Sequence, residues 1–544
     1  MKKILTALAF AAVAVFMTAC ASVQTGEKAS PDALKIGWAK RSIAKDGPVP
    51  ITGQFYLRIS QGQYSPVLAS ALAVSTEKDS VIFVSVDMPS FSAVTLQKVH
   101  AILKKESPEI PAEKIILNST HTHAGPGDRD ISTYPNQIKA LSCEETRAFL
   151  SRQIADAVKE SWAKRAPGSV SYGYGFATTG HSRRVIYKDD YGLRGNKGNP
   201  GLAIHGHGVM YGNTNDPMFE SYEAGTDSFI NLLYTFDESG KLSGAIINVP
   251  CPSQTNEHAW MFHASFWHNV REKLTAAYGE IGVIGQAAAA GDLSPRQLHY
   301  REAEKRRLYL KYKDKIEAYF KNPLKHPKEY TEEQERIQQE CDVIEMMRAE
   351  DIANRIVAAF DEVKSWAEQE KFSDPVLKHE VCVTELERRM FPKEMMEEEK
   401  KNLENITKEG FITEGDEWDV LFHNSIQYSK RFRCGGVVAR YEVQEKQPTI
   451  TSDIHVVRIG NIAFATNRFE LYMDYQHRIQ ARSPFEQTFI VQLVTGPNGA
   501  GSYLATERGE ANKGYSASPY CNQVSPNGGQ QLVEETLKIL EGMK

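Results

Sequence analysis

The stretch that decides the fold runs from Ser80 to His123, and it falls into three parts: "SVIFVSVDM" (80–88), "FSAVTLQKVHAILKKE" (91–106) and "KIILNSTHTH" (114–123). The first is apolar and rich in β-branched residues, as a buried strand is. The second places Val94, Leu96, Val99, Ile102 and Leu103 at helical spacing. The third returns to strand character. Strand, helix, strand predicts a βαβ unit with two parallel strands, since a parallel pair needs a crossover of helix length. In such sheets the loops beyond the carboxyl ends of the strands carry the site, and His121 and His123 stand at that end. Side chains alternate along a strand, so strand geometry continued through Thr122 would point both imidazoles into one space. An isolated HxH is also common on loops by chance, so other residues must decide.

Further along, "GKLSGAIINVPCPSQ" (240–254) contains the strand "SGAIINV" and ends at Pro250-Cys251-Pro252. "IGVIGQAAAAGDLSP" (281–295) repeats the plan and ends at Gly291-Asp292-Leu293-Ser294-Pro295. Small residues there let the backbone approach something closely, and Pro295 biases Ser294 towards extended geometry. From about 299 to 370 the chain turns charged and helical. "TEEQ" at 331–334 is a capping box opening a helix with Ile337, Cys341 and Ile344 on one stripe. This region reads as an amphipathic cover, with a lid or membrane-touching role as the alternative. "HVVRIGNIAFATNRFELYMDYQHRIQ" (455–480) reads as a hairpin followed by a helix, with Glu470 near the junction. No internal repeat is visible. The class is α/β.

The chain has 544 residues, 64 basic and 69 acidic, for a net charge of −5. That balance makes no electrostatic case for nucleic acid; a small molecule or lipid fits better. Length alone admits roughly two to four domains. Lys2 and Lys3 precede the apolar run "ILTALAFAAVAVF" and then "MTAC", which ends at Cys20. This is short for a membrane span and reads as an export signal. The small residues before Cys20 predict a bacterial lipoprotein with residues 1–19 removed and the membrane anchored lipid on Cys20; a plain secretory signal is the alternative. Residues 20–32 read as a flexible tether. The remaining six cysteines are scattered, which argues against a disulfide scaffold.

Four motifs in order, "NSTHTHAGPGD" (118–128), "AGDLSP" (290–295), "FELYMDYQHRIQARSPF" (469–485) and "GAGSYLATERGEANKGYSA" (499–517), together resemble the catalytic domain of neutral ceramidases. These are zinc-dependent amidases that cleave the N-acyl bond of ceramide to fatty acid and sphingosine. The resemblance runs from "LKIGWAKRSI" (34–43) to about Tyr515, with interruptions near 188–217 and 299–347. It implies one large mixed α/β catalytic domain over 33–544 with a helical insertion at about 299–347. The family's usual C-terminal β-sandwich is not expected, because the chain ends 29 residues after Tyr515.

Carried over residue by residue, the resemblance implies zinc ligands at His121, Glu470 and Tyr503. It places His123 beside the metal, Tyr515 against the substrate carbonyl and Ser294 in the active site; "HSRR" (181–184) matches the family's arginine less securely, favouring Arg183 over Arg184. The family's second zinc histidine falls on Cys251. A thiolate is a competent zinc ligand, so Cys251 ligates, or His205, His207 or His258 replaces it, or the metal is lost. Zinc would lower the pKa of bound water to about 7 and polarise the carbonyl. His123 could shuttle the proton, and Tyr515 and Arg183 could donate to the oxyanion. The expected activity is zinc-dependent hydrolysis of ceramide or a related N-acyl lipid amide. The alternatives are the same chemistry on an N-acyl amino sugar or lipoamino acid, and a non-catalytic surface binding lipoprotein.

Overall fold

Strands β1 (Lys35–Ser42), β2 (Leu68–Ser75) and β3 (Ser80–Val86) run antiparallel in sequence order. Helix α1 (Ala93–Glu106) then crosses to β4 (Ile115–Ser119), which pairs parallel with β3. The βαβ unit read from the sequence is therefore present, with two antiparallel strands before it. After α2 (Cys143–Ala163) the order recurs. Strands β5 (Ala166–Phe176), β6 (Phe229–Asp237) and β7 (Leu242–Val249) are antiparallel, and α3 (Phe266–Tyr278) leads to β8 (Gly282–Ala287), parallel to β7.

This computed structural model describes residue 30 and residues 32–544, apart from 129, 325, 329 and 500. The expected signal segment (1–19), the anchor at Cys20 and nearly all of the tether (20–32) lie outside the described residues.

Helices α4 (Arg301–Lys311), α5 (Lys313–Lys321) and α6 (Glu332–Ala367) follow the second unit. The third unit starts with β9 (Leu377–Glu387) and is interrupted by the hairpin α7 (Lys393–Glu409) and α8 (Glu417–Val443). It resumes with β10 (Thr449–Ile459) and β11 (Ile462–Thr466), then α9 (Met473–Arg482) and β12 (Gln487–Val491), parallel to β11. Helix α10 (Pro526–Met543) closes the chain. A strand-strand-strand-helix-strand unit thus occurs three times, although the sequence shows no repeat. Each copy keeps only the pattern of burial, which many residues satisfy.

The first two units join in one eight-stranded sheet, ordered β8-β7-β6-β5-β1-β2-β3-β4, and the third forms a four-stranded sheet. The two sheets face each other across one apolar layer that includes Phe83, Ile246 and Ile284 on one side and Val457, Phe464 and Phe489 on the other. Along β2 the alternation of a strand is direct: Leu72 and Val74 join that layer, while Ala69, Ala71 and Ala73 face the helices. Helices α1 and α2 cover the far side of the large sheet at one wing, α3 and α6 at the other, and α9 and α10 cover the small sheet. The architecture is helix, sheet, sheet, helix, a mixed α/β fold.

The capping box forms as expected, Thr331 accepting from the Gln334 amide. The expected stripe does not carry the packing: Ile337 and Cys341 are exposed, and the buried positions begin at Asp342 and Val343. A 36-residue helix spans about 54 Å, longer than a strand layer, so its first turns reach past the sheet. Helix α6 runs unbroken to Ala367, within the charged helical stretch expected from about 299 to 370. The hairpin α7–α8 has no counterpart in the sequence reading. All six cysteines outside the N-terminal segment are free. Among the described residues no helix is long and apolar enough to cross a membrane.

Phe464 sits between the sheets, 4.3 Å from Phe489 and 4.9 Å from Phe83 between ring centroids. Phe464→Ala is expected to cost about 3–5 kcal/mol of stability, read as a lowered midpoint in chemical denaturation with the secondary structure of the native state unchanged.

Candidate functional site

The loops beyond the ends of the parallel strands meet at a cavity of about 950 Å³. Strand β4 stops at Ser119 and does not continue to the histidines. Thr120 N donates to Val86 O and His121 N to Met88 O, which turns the chain out of the sheet, and His121 adopts a left-handed φ of 66°. That conformation is uncommon for a residue with a Cβ. The two imidazoles do converge, but through this turn and not through strand alternation. Behind His123, Gly53 has φ +119°, and a Cβ there would lie 2.6 Å from the His123 Cβ. Only glycine allows that approach.

His121 Nδ1 lies 2.8 Å from the Pro89 carbonyl, an acceptor, so Nδ1 carries the proton and Nε2 is a bare lone pair. That Nε2 lies 3.4 Å from Glu470 Oε2 and 3.3 Å from His123 Nε2. Glu470 is brought there by a two-residue parallel bridge that pairs it with Tyr503. Arg183, 2% exposed, donates to the Tyr503 hydroxyl (3.1 Å) and the Gly291 carbonyl (2.9 Å) and reaches 3.8 Å from Glu470 Oε2. Tyr515 packs edge-on against Tyr503, 5.7 Å between centroids, and also lines the cavity. Burial alone would raise the Glu470 carboxyl, but the nearby Arg183 guanidinium and the Tyr503 hydroxyl hold it below the usual range. Burial pushes His123 down to about 4 despite the neighbouring Glu257, so it is neutral at physiological pH.

The structure thus brings together His121, His123, Glu470, Tyr503, Arg183 and Tyr515. It does not bring Cys251. The thiol points into the apolar layer beneath α3 and α6, donates to the Thr179 carbonyl at 3.1 Å, and is not in the cavity wall. Burial raises its pKa far above that of an accessible thiol. The physical reason is the turn after β7: Cys251 N bonds back to Val249 O, and the side chain is folded under while Gln254 reaches the cavity. His205 and His207 do not replace it, since their Nδ1 atoms sit against the carbonyls of Asn196 and Tyr187, outside the cavity wall. His258 lines the cavity, with its Nδ1 2.6 Å from the Tyr56 hydroxyl. Ser294 lies just behind the wall, where its hydroxyl accepts from Tyr211 (3.4 Å) and from Arg296 N (3.2 Å). Arg184 turns the other way into a fully buried pair with Glu223.

Sequence reasoning missed Gln254, Glu257 and Arg296, and the wall that α8 supplies through Tyr428, Phe432 and Arg433. The signal for the first two was the polar run "SQTNE" (253–257) directly after an apolar parallel strand, the same signal that singled out His121.

Among the described residues no three His, Cys, Asp or Glu side chains form a ready metal cage. The cluster offers instead one imidazole, one carboxylate and one phenol. These fit a zinc ion. The bare His121 Nε2 and the Glu470 Oε2 face each other 3.4 Å apart with no proton placed between them, an arrangement a cation would relieve. Ligands about 2.0–2.1 Å from a tetrahedral ion are about 3.3 Å apart, close to the 3.4 Å between His121 Nε2 and Glu470 Oε2. Three protein ligands and an open position are the pattern of a catalytic zinc.

In the "GDLSP" turn, burial pushes the Asp292 carboxyl up to about 7, even though Oδ1 accepts from Met473 N. The folded protein disfavours the ionised form, so this group supports the fold fully below about pH 4 and withdraws that support as pH rises through 7. Asp292→Asn, which keeps the acceptor, is expected to flatten the fall in melting temperature between pH 4 and 7.

The chain resembles the neutral ceramidases in both sequence and fold. No protein-family model matches it. Against characterised proteins, it is 29% identical over 226 residues to the neutral ceramidase of Pseudomonas aeruginosa. The match covers 40% of this chain and 29% of that protein, so less than a third of the relative's length is spanned. Among solved structures, the neutral ceramidase of Pseudomonas aeruginosa superposes with a TM-score of 0.60 at 16% identity, over 94% of this chain and 75% of that one. A ceramidase complexed with C2 gives 0.59 at 15%, with the same coverage. At that identity the structural likeness speaks for the fold, and it spans nearly all of this chain.

Proposed function

We propose that this protein is a zinc-dependent amidase that hydrolyses the N-acyl amide of ceramide or a related N-acyl lipid to a fatty acid and an amine. One observation carries the reading: residues from distant parts of the chain, His121, Arg183, Glu470 and Tyr503, meet within hydrogen-bond or ion-pair distance at one cavity. Its support beyond geometry is the sequence match and shared fold with neutral ceramidase.

His121, Glu470 and Tyr503 would hold the ion, His121 oriented by the Pro89 carbonyl as ligating imidazoles commonly are. When bound, zinc supplies a nucleophile at neutral pH and polarises the amide carbonyl. His123, neutral and with Nε2 turned to the cluster, takes the proton released at the nucleophile and returns it to the leaving nitrogen. Arg183 and Tyr515 donate to the carbonyl oxygen as charge develops there. Arg183 is fixed for this by Gly291 and Tyr503, so little reorganisation is needed. Ser294 acts behind the wall, setting Tyr211 and Arg296 in place.

Metal analysis and turnover test the reading together. The wild type is expected to hold stoichiometric zinc and to release fatty acid from ceramide. His121→Ala and Glu470→Ala are each expected to lose both, and Ser294→Ala to keep zinc. A Glu470→Ala protein that is zinc-replete and fully active would refute that ligand. Within a panel of N-acyl substrates, cleavage of an amino-sugar amide with ceramide untouched would overturn the substrate. The same reading has the protein exported and anchored in the envelope through a lipid on Cys20. Mass spectrometry of the mature N-terminus is expected to find an acylated Cys20 with residues 1–19 removed; an unmodified N-terminus elsewhere would refute the anchor.

A further inference from the structure

His123 Nε2 has a hydrogen-bond partner, while its buried Nδ1 has none formed and lies nearest the Glu257 carboxylate. Nε2 is 2.7 Å from the Gln254 amide nitrogen, a donor, and 3.3 Å from His121 Nε2. Nδ1 is 3.3 Å from Glu257 Oε2, at the outer edge of hydrogen-bond range. Catalytic contacts are commonly long before substrate binds and tighten afterwards. Glu257 is buried at 7% exposure, and a carboxylate at that depth needs a counter-charge. Arg296 provides it, donating from Nη1 to Oε1 at 2.5 Å, and Gln54 donates from Nε2 to Oε2 at 3.1 Å.

The chain of charges continues outward. Arg296 Nε donates to Glu345 of α6 at 2.8 Å; Glu345 also pairs with Arg348, which grips Glu304 of α4 in a bidentate contact at 3.0 and 2.9 Å. An unbroken alternation of acid and base therefore links the helical insertion to His123. Glu257, Glu345, Arg348 and Glu304 lie outside the four motifs that carry the resemblance.

We propose that Glu257 is a positioning residue of this site. It holds His123 in the tautomer with the proton on Nδ1, leaving the Nε2 lone pair on the cavity side, where the Gln254 amide meets it until a reacting group does, and α4 and α6 hold Glu257 in place through Arg296. Gln254 agrees with this assignment, because its amide donates to a bare Nε2. The inference rests on the amidase reading for the role of His123, but the tautomer can be read without any activity.

The experiment has two arms on the full chain. Long-range proton–nitrogen spectra of histidine-labelled wild type, with His123 assigned by its loss in His123→Gln, are expected to show a protonated Nδ1 and an unprotonated Nε2. The opposite tautomer overturns the proposal. In the kinetic arm, Glu257→Leu is expected to lower kcat about 100-fold or more with KM changed less than about three-fold. Glu257→Gln, whose carbonyl can still accept from Nδ1, is expected to recover much of that loss. Equal damage by both variants, or KM and melting temperature moving with kcat, would mean that Glu257 only supports the fold. Should Glu257→Leu not fold, the tautomer and Glu257→Gln still decide. Should the wild type cleave no amide in the panel, the amidase reading fails, and the tautomer alone judges this one.

Discussion

Everything at this site depends on an unbalanced contact: a lone pair of His121 that has nowhere to turn. The Pro89 carbonyl claims the proton on Nδ1, so Nε2 must face Glu470 and His123 as an acceptor among acceptors. Such an arrangement is unfavourable unless something positive sits within it. Arg183 offers one charge from the Tyr503 side and stands 3.8 Å from the carboxylate. A cation placed there, as proposed, would meet the remaining demand.

The threefold repetition of one topological unit explains how distant segments come to this point. In each unit the two parallel strands end at the same edge. The first unit delivers His121 and His123 after β4; the second delivers Gln254 and Glu257 after β7 and the "GDLSP" turn after β8; the third delivers Glu470 after β11 and Tyr503 after β12. Stacking the small sheet on the large one through Phe83, Phe464 and Phe489 then sets the third group of loops against the other two. Packing between sheets is thus the step that turns three separate loop edges into one cavity.

The βαβ unit around Ser80–His123 was legible because its strands are buried on both faces and so read as unbroken apolar runs. The order of the motifs was legible too, and it pointed to most of the residues that meet. Convergence itself was not, since it follows from sheet stacking and from the turn at His121, neither of which leaves a local pattern. Cys251 shows the limit most clearly. Matching it to a ligand position presumed that its side chain emerges into the cavity, but the turn after β7 folds it inward and presents Gln254 three residues later. Helix α8 was illegible for another reason: its cavity-facing residues, among them Ser425, Ser429 and Phe432, mix hydroxyls and an aromatic and carry no functional signature.

Helix α8 lines one side of the cavity, and its Arg433 lies over the Tyr515 ring, 5.6 Å from the centroid. It is fastened to the body by side chain to backbone bonds, Ser425 accepting from Leu57 N, Ser429 donating to Phe55 O and Arg433 to Gly201 O. Phe432, 70% exposed, and Tyr428 stack on each other beside these fastenings, 6.3 Å between centroids. The exposed rings of α8 and the cluster of His121, Glu470 and Tyr503 thus come from different stretches of chain, joined at the Arg433–Tyr515 contact. Under the proposed amidase reading, exchange of Tyr428 or Phe432 would reshape the entrance while leaving His121, Glu470 and Tyr503 as they are.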